Sequence, residues 1–186
     1  FWIGWLMANG YEVITSGTFD GTSASVDLTS IPATYSHLEI SCTTNTNQAG
    51  YRASWMMTLN GDTASNYGYL GVAQGSGYGN PAYSSNDTST APVTMGYGPG
   101  ADAGSGSGGD MVGSWNLWFW NYADTNLHKT FYASSGYASG GAWVMMEQGG
   151  IWRNTAAINQ IKLEVYDSTG SDVWANGCQY ALAGWT

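Results

Sequence analysis

Nine windows of this 186-residue chain read as short β-strands, and none reads as a helix. They are YEVITSGTF, SASVDL, SHLEISCT, RASWMMTL, GSWNLWFWNY, HKTFYAS, AWVMMEQ, NQIKLEVY and CQYALAGW. Gly, Asn, Asp or Pro bounds most of them, and those residues adopt the backbone angles that turns require. No stretch of about a dozen residues keeps apolar spacing of three and four without a Gly or a β-branched cluster. Many short strands with such punctuation pack as an antiparallel sandwich or barrel. The chain is therefore expected to be all-β, an antiparallel, jelly-roll-like β-sandwich. One domain is expected over 11–186, behind an apolar N-terminal arm over 1–10. Residues 71–110 are rich in Gly, Ser, Tyr and Asn and end in GADAGSGSGGD. They are expected to form a long surface loop, because added loop length costs little closure entropy. Asn60-Gly61-Asp62 suits a tight turn with positive φ, and residues 167–172 are expected to join the last two strands as a hairpin.

Most strands have one apolar side. In NQIKLEVY, Ile161, Leu163 and Val165 share a face while Lys162 and Glu164 oppose them. This is the pattern of a sheet packed on one side. GSWNLWFWNY differs, because Trp115, Leu117 and Phe119 take one face and Trp118, Trp120 and Tyr122 the other. AWVMMEQ sets Trp143 and Met145 against Val144 and Met146 in the same way. A large aromatic buries about 150–250 Å². At ~25 cal/mol per Å², leaving three wet forgoes roughly 10 kcal/mol as an upper bound. These strands are expected to be covered on both faces, the second cover being the 71–110 segment, another subunit or a ligand. Trp118, Trp120, Tyr122, Val144 and Met146 are the candidate platform for self-association or ligand binding. Phe1, Trp2, Ile3 and Trp5 are candidate contacts of the arm.

Composition closes several functional classes. Only 9% of residues are charged and 15% are aromatic, with a formal net charge of −9. Arg52, Lys129, Arg153 and Lys162 are the full set of cationic Lys and Arg side chains. That is too few to neutralise a phosphate backbone or to hold an anionic membrane surface, so neither nucleic acid nor membrane is an expected partner. No apolar run approaches the roughly 18 residues of a membrane span. FWIGWLMANG has no Lys or Arg ahead of its apolar stretch and makes a poor signal peptide. Cys42 and Cys178 can pair only if the fold joins them, and two buried thiols fit equally well.

Catalytic signatures are missing. His37 and His128 are the two histidines, and there is no GxSxG elbow, HExxH or CxxC. Gly104 to Gly109 matches GxGxxG by letter, but no strand precedes it and no helix follows. The acidic 167–172 segment lacks the full EF-hand pattern. No catalytic residue, metal or cofactor is expected.

Several phrases resemble the virion structural proteins of tailed bacteriophages. Met7-Ala8-Asn9-Gly10-Tyr11-Glu12 is similar to their opening, and SIPATYSHL at 30–38 to their S-I-P-x-T-Y-x-H-L. LNGDTASNYGY at 59–69 resembles F-N-G-D-T-x-x-N-Y, and AAINQIKLEVY with CQYALAGW resembles the closing strands. Residues 71–153 carry no such match. FWIGWL precedes the usual start, as an added arm or an upstream extension of the reading frame. EISCTT stands where the family usually carries Arg. The resemblance implies a non-enzymatic capsid decoration or tail and appendage protein on the outer surface of a virion, extracellular after release. Its implied partners are copies of itself and major capsid or tail proteins. It also implies that Pro32 turns the chain from one sheet to the other, with Ile31 and Tyr35 plugging the end. The alternatives are a lectin-like module binding a host surface glycan and a self-assembling extracellular fibre subunit.

Overall fold

The computed structural model describes residues 10–47, 53–75, 83–84, 92–98, 112–139, 142–165 and 172–186. The arm residues Phe1, Trp2, Ile3 and Trp5 lie outside them. The strands are β1 (Tyr11–Thr18), β2 (Ser25–Leu28), β3 (His37–Thr44), β4 (Ala53–Leu59), β5 (Tyr67–Gly75) and β6 (Tyr83–Ser84). They continue with β7 (Val93–Gly98), β8 (Gly113–Trp120), β9 (Lys129–Ser139), β10 (Ala142–Trp152), β11 (Ile161–Val165) and β12 (Gln179–Trp185). No helix occurs among the described residues. Among the described residues one sheet has eight strands in the order β1-β12-β3-β8-β9-β10-β5-β6, and the other has four in the order β2-β11-β4-β7. Every strand pair is antiparallel. The fold is the expected all-β sandwich.

The core lies between the sheets, and period-two alternation fills it. Leu38, Ile40, Leu117, Phe119, Phe131 and Leu182 enter from the large sheet. Leu28, Trp55, Met57, Leu59, Ile161 and Leu163 enter from the small one. Directed side-chain bonds also tie the layers, among them those of Trp115 and Gln148. Trp115 Nε1–H donates to the Met95 carbonyl at 3.2 Å, and Gln148 Nε2–H donates to the Thr94 carbonyl.

Glycine makes room for rings. A Cβ on Gly98 would lie 2.1 Å from the Trp55 ring, one on Gly150 2.0 Å from Phe131, and one on Gly184 2.2 Å from Tyr35. Residues that read as loop punctuation are here the floor beneath aromatics. This corrects the expectation of one long loop over 71–110 where that span is described, while 76–82, 85–91 and 99–110 lie outside the described residues. Gly71–Gly75 completes β5, and β6 and β7 also fall in that span. A second correction concerns 167–172. β11 and β12 belong to different sheets, so the connection between them is a crossover, not a hairpin. Both cysteines are buried and unpaired, and burial pushes both thiols up from their ordinary range.

Three of the phrases that carry the resemblance, those at 30–38, 59–69 and 156–166, meet at one end of the sandwich. Pro32 sits between β2 of the small sheet and β3 of the large one. Its carbonyl accepts from the Tyr122 hydroxyl, and Ile31 N–H donates to Asn159 O at 3.1 Å. Asn60 and Gly61 both have positive φ, 50° and 66°, and close a tight turn in which Asp62 N–H donates to Leu59 O at 2.9 Å. The Asn60 carboxamide oxygen accepts from Asn159 N–H and Gln160 N–H, at 3.0 and 3.1 Å. These residues are corner chemistry.

Asp62 anchors that corner. It accepts from Trp152 Nε1–H and Asn66 Nδ2–H, each at 2.8 Å, and from Ala64 N–H at 2.9 Å. Burial pushes its carboxyl up, but the bonds from Asn66, Trp152 and Ala64 outweigh that and hold it below the usual carboxylate range of 3.8. A carboxyl lowered on folding stabilises above its unfolded value, and that contribution is lost as pH falls through its folded one. Thermal melts of the wild type and Asp62→Asn are therefore expected to converge as pH falls below about 4. A gap between the two curves that stays constant down to pH 2 would contradict this role.

Candidate functional site

The large sheet has a second face, turned away from the small sheet, and the cross-strand register lays it out in rows. The first row, at the capped end, runs Tyr11, Trp185, His37, Trp120, Thr130 and Ile151. The next runs Val13, Ala183, Glu39, Trp118, Tyr132, Gly149 and Leu70. Beyond it, Ser16, Ala181, Ser41, Asn116, Ser134, Glu147 and Val72 form a third row that is mostly polar. Thr43, Ser114, Gly136 and Met145 follow. Aromatic side chains thus crowd the rows nearest the capped end, and hydroxyl and amide side chains the rows beyond them.

The aromatic half is ordered by its own contacts. Tyr11 meets Trp185 edge to face, with centroids 5.0 Å apart. Trp185 Nε1–H donates to Glu39 Oε2 at 3.1 Å, which fixes the indole on the sheet. Trp118 packs on Tyr132 at 5.6 Å. Burial, followed by the carboxylate of Glu147, raises the Tyr132 phenol above its ordinary range. His37 pairs in register with Trp185 on one side and Trp120 on the other, and its Nδ1 is buried with no hydrogen-bond partner among the described residues. Tyr11, Val13, Trp120 and Trp185 remain exposed at 48%, 51%, 41% and 42% in the isolated chain, while Trp118 is half-buried.

Of the five platform residues expected from sequence, the structure brings two together on this face, Trp118 and Trp120. Tyr122 is fully buried. β8 ends at Trp120, and Asn121 adopts φ 51°, which swings the next side chain into the capped end under Pro32. Val144 and Met146 face the core, and Met145 faces outward at 57% exposure. A strand apolar on both sides carries no mark of which side is inward. Gln148, bonded to Thr94 across the core, shares its side with Val144 and Met146 and sets the phase. Tyr11, Val13 and Trp185 were missed. They sit at opposite ends of the chain, and only the pairing of β1 with β12 joins them.

No group of three His, Cys, Asp or Glu side chains that could hold an ion occurs among the described residues. No helix there is long and apolar enough to cross a membrane.

No protein-family model and no curated protein matches the chain. Among solved structures, galectin LEC-6 of Caenorhabditis elegans is similar at 9% identity and a TM-score of 0.29, covering 91% of this chain and 95% of that one. Alginate lyase vAL-1 from Chlorella virus aligns at 11% identity and a TM-score of 0.28, covering 95% and 92%. Eiger TNF from S. frugiperda aligns at 8% identity and 0.13, covering 84% and 94%. These superpositions are shallow, and no residue role passes from those proteins to this one.

Proposed function

We infer that the chain is a non-enzymatic virion structural protein of the tailed-phage kind, a capsid decoration or tail component that binds copies of itself. The observation that supports the reading most is the exposure of Tyr11, Trp185 and Trp120 in one row, with His37 between the two tryptophans and Val13 exposed in the next row, on an open sheet face. Adjacent large aromatics at the surface of a single chain mark an interaction surface, and such residues dominate the buried centres of interfaces. Of the sequence phrases that resemble phage proteins, those at 30–38 and 59–69 are occupied largely with turns and caps, while the first and the last supply Tyr11 and Trp185 to the aromatic row. Capsid or tail proteins are the further partners of this reading, and the outer surface of the particle is its place.

Light scattering on the purified chain is expected to give a multiple of the protomer mass, held over a range of concentrations. Trp120→Asp places a charge in the middle of the contact and is expected to yield the single protomer. Because Trp120 is already partly exposed, its melting temperature should change little. A wild type that weighs one protomer at every concentration overturns the reading.

A further inference from the structure

The geometry points to a second binding site on the same face: a trough that takes a neutral glycan. It lies across β1, β12, β3 and β8, in the polar half of the sheet. Its volume is about 560 Å³, inside the roughly 300–1,000 Å³ range of ligand pockets. The floor is backbone of β1, β12 and β3 with the small side chain of Ala181, and Ser16, Ser41, Thr43, Ser114, Asn116 and Gln179 line it. Asn116 lies four residues from Trp120 on β8, about 13 Å along the strand. The trough is thus separate from the exposed aromatic row, and the inference does not depend on self-association.

The lining is matched to hydroxyl groups. The Ser41 hydroxyl faces two acceptors, Asn116 Oδ1 at 2.9 Å and Glu39 Oε1 at 3.3 Å, and with Asn116 Oδ1 turned to it the Asn116 amide N–H groups are donors for a ligand oxygen. Thr43 Oγ1 accepts from Gln179 N–H at 2.8 Å, so its own proton is available to donate. Hydroxyls and carboxamides of this kind both give and accept, as the hydroxyls of a sugar do. Two residues along β8 from Asn116, on the same face, stands Trp118, packed against Tyr132. That pair stands beside the trough, outside its lining, where a sugar ring extending past Asn116 would meet it.

Charge selects within the class. Among the described residues the outward positions of the large sheet include no Lys or Arg, and they include Glu39 and Glu147. Uronate, sialylated and sulfated chains would meet carboxylates with no cation to pair them, on a molecule whose net charge is already −9. Neutral hexose or pentose chains meet no such penalty.

The test is calorimetric titration of the full-length chain with neutral oligomers of glucose, mannose, galactose and xylose, beside oligogalacturonate and a heparin oligosaccharide. At least one neutral oligomer is expected to bind with a millimolar or tighter Kd, and the two acidic ones to give no heat. Ser41→Ala and Asn116→Ala are each expected to weaken that binding by roughly tenfold while keeping the wild-type melting temperature. Trp120→Asp is expected to leave it unchanged, even where that variant dissociates the assembly. Absence of binding by every neutral oligomer, equal binding of an acidic one, or full affinity in a folded Asn116→Ala protein overturns the inference. So does loss of glycan binding on Trp120→Asp, which would move the ligand to the aromatic row.

Discussion

Trp174→Ala is expected to lower the melting temperature by about 10–20 °C, the largest effect of any single substitution in the core. Trp174 is the middle ring of a stack of three. Its centroid lies 4.3 Å from Phe19, with ring planes 4° apart, and 4.2 Å from Trp55, with planes 22° apart. It is 1% exposed, and its Nε1–H donates to the Ala24 carbonyl at 3.2 Å. Its own N–H donates to Ser23 O at 3.1 Å, and Trp174 bridges to Thr46 in antiparallel fashion. Three segments far apart in sequence are therefore joined through one side chain. Removing a buried Trp costs about 3–5 kcal/mol through lost transfer energy and the cavity left behind. Here both flanking rings also lose a stacking partner, and each such pair adds about 0.5–1.5 kcal/mol. The sum approaches the lower end of the roughly 5–15 kcal/mol that holds a domain folded. Scanning calorimetry of Trp174→Ala and Trp174→Phe separates the causes. Phe keeps the stack and part of the volume, and is expected to recover more than half of the loss. A drop of less than about 3 °C in Trp174→Ala would show that the crossover before β12 adds little to the core.

That stack also shows where sequence reading stops. The strand class was legible because Ile161, Leu163 and Val165 alternate with Lys162 and Glu164, and a period of two has one structural meaning. The tight turn at Asn60-Gly61 was legible from its turn chemistry, and both residues have positive φ. Trp174 was not, because it stands in a run of Asp, Asn and Gly that reads as pure turn, and its partners are Phe19 and Trp55. β5 and β7 were hidden for a related reason. Gly96 and Gly98 read as breakers, yet Gly98 is the surface on which Trp55 lies. The candidate faces were half legible. Two apolar sides on β8 announced a second surface, and Trp118 and Trp120 do lie on it. Which residues of β10 and of the turn after β8 join them depends on register and on one left-handed Asn. The trough was invisible, since Ser41 and Asn116 become neighbours only through the pairing of β3 with β8. A serine in a chain rich in serine carries no signal.

Lys129→Met is the second large effect, with an expected loss of about 3–5 kcal/mol. Lys129 opens β9, is 0% exposed and pairs in register with Trp152. Its Nζ donates to the carbonyls of Asp124, Leu127 and Thr155, the second at 2.6 Å and the third at 3.1 Å. An ammonium has three protons, and each finds an acceptor. The side chain therefore clamps the 121–128 turn to the segment after β10. Methionine matches the length of the stem, so the substitution removes the charge with little change in volume. The three carbonyls lose their donor. A buried carbonyl without a donor costs roughly 1–3 kcal/mol, and the three costs overlap because the turn can relax. Arginine does not replace the clamp. Its planar fork directs its protons in one plane, whereas the three carbonyls converge on a point. Lys129→Arg is expected to lose more than half as much as Lys129→Met, a result that packing of the stem alone would not produce. Chemical denaturation with a common slope for all three proteins measures both losses. If Lys129→Met unfolds at the wild-type midpoint, the ammonium is not what holds this turn. The same measurement bears on Trp120 and Leu127, because the clamp carries the loop at the edge of the aromatic face. A loosened 121–128 turn should weaken self-association by shifting Trp120, whereas Asp62→Asn, which acts on the turn between β4 and β5, should leave the assembly intact.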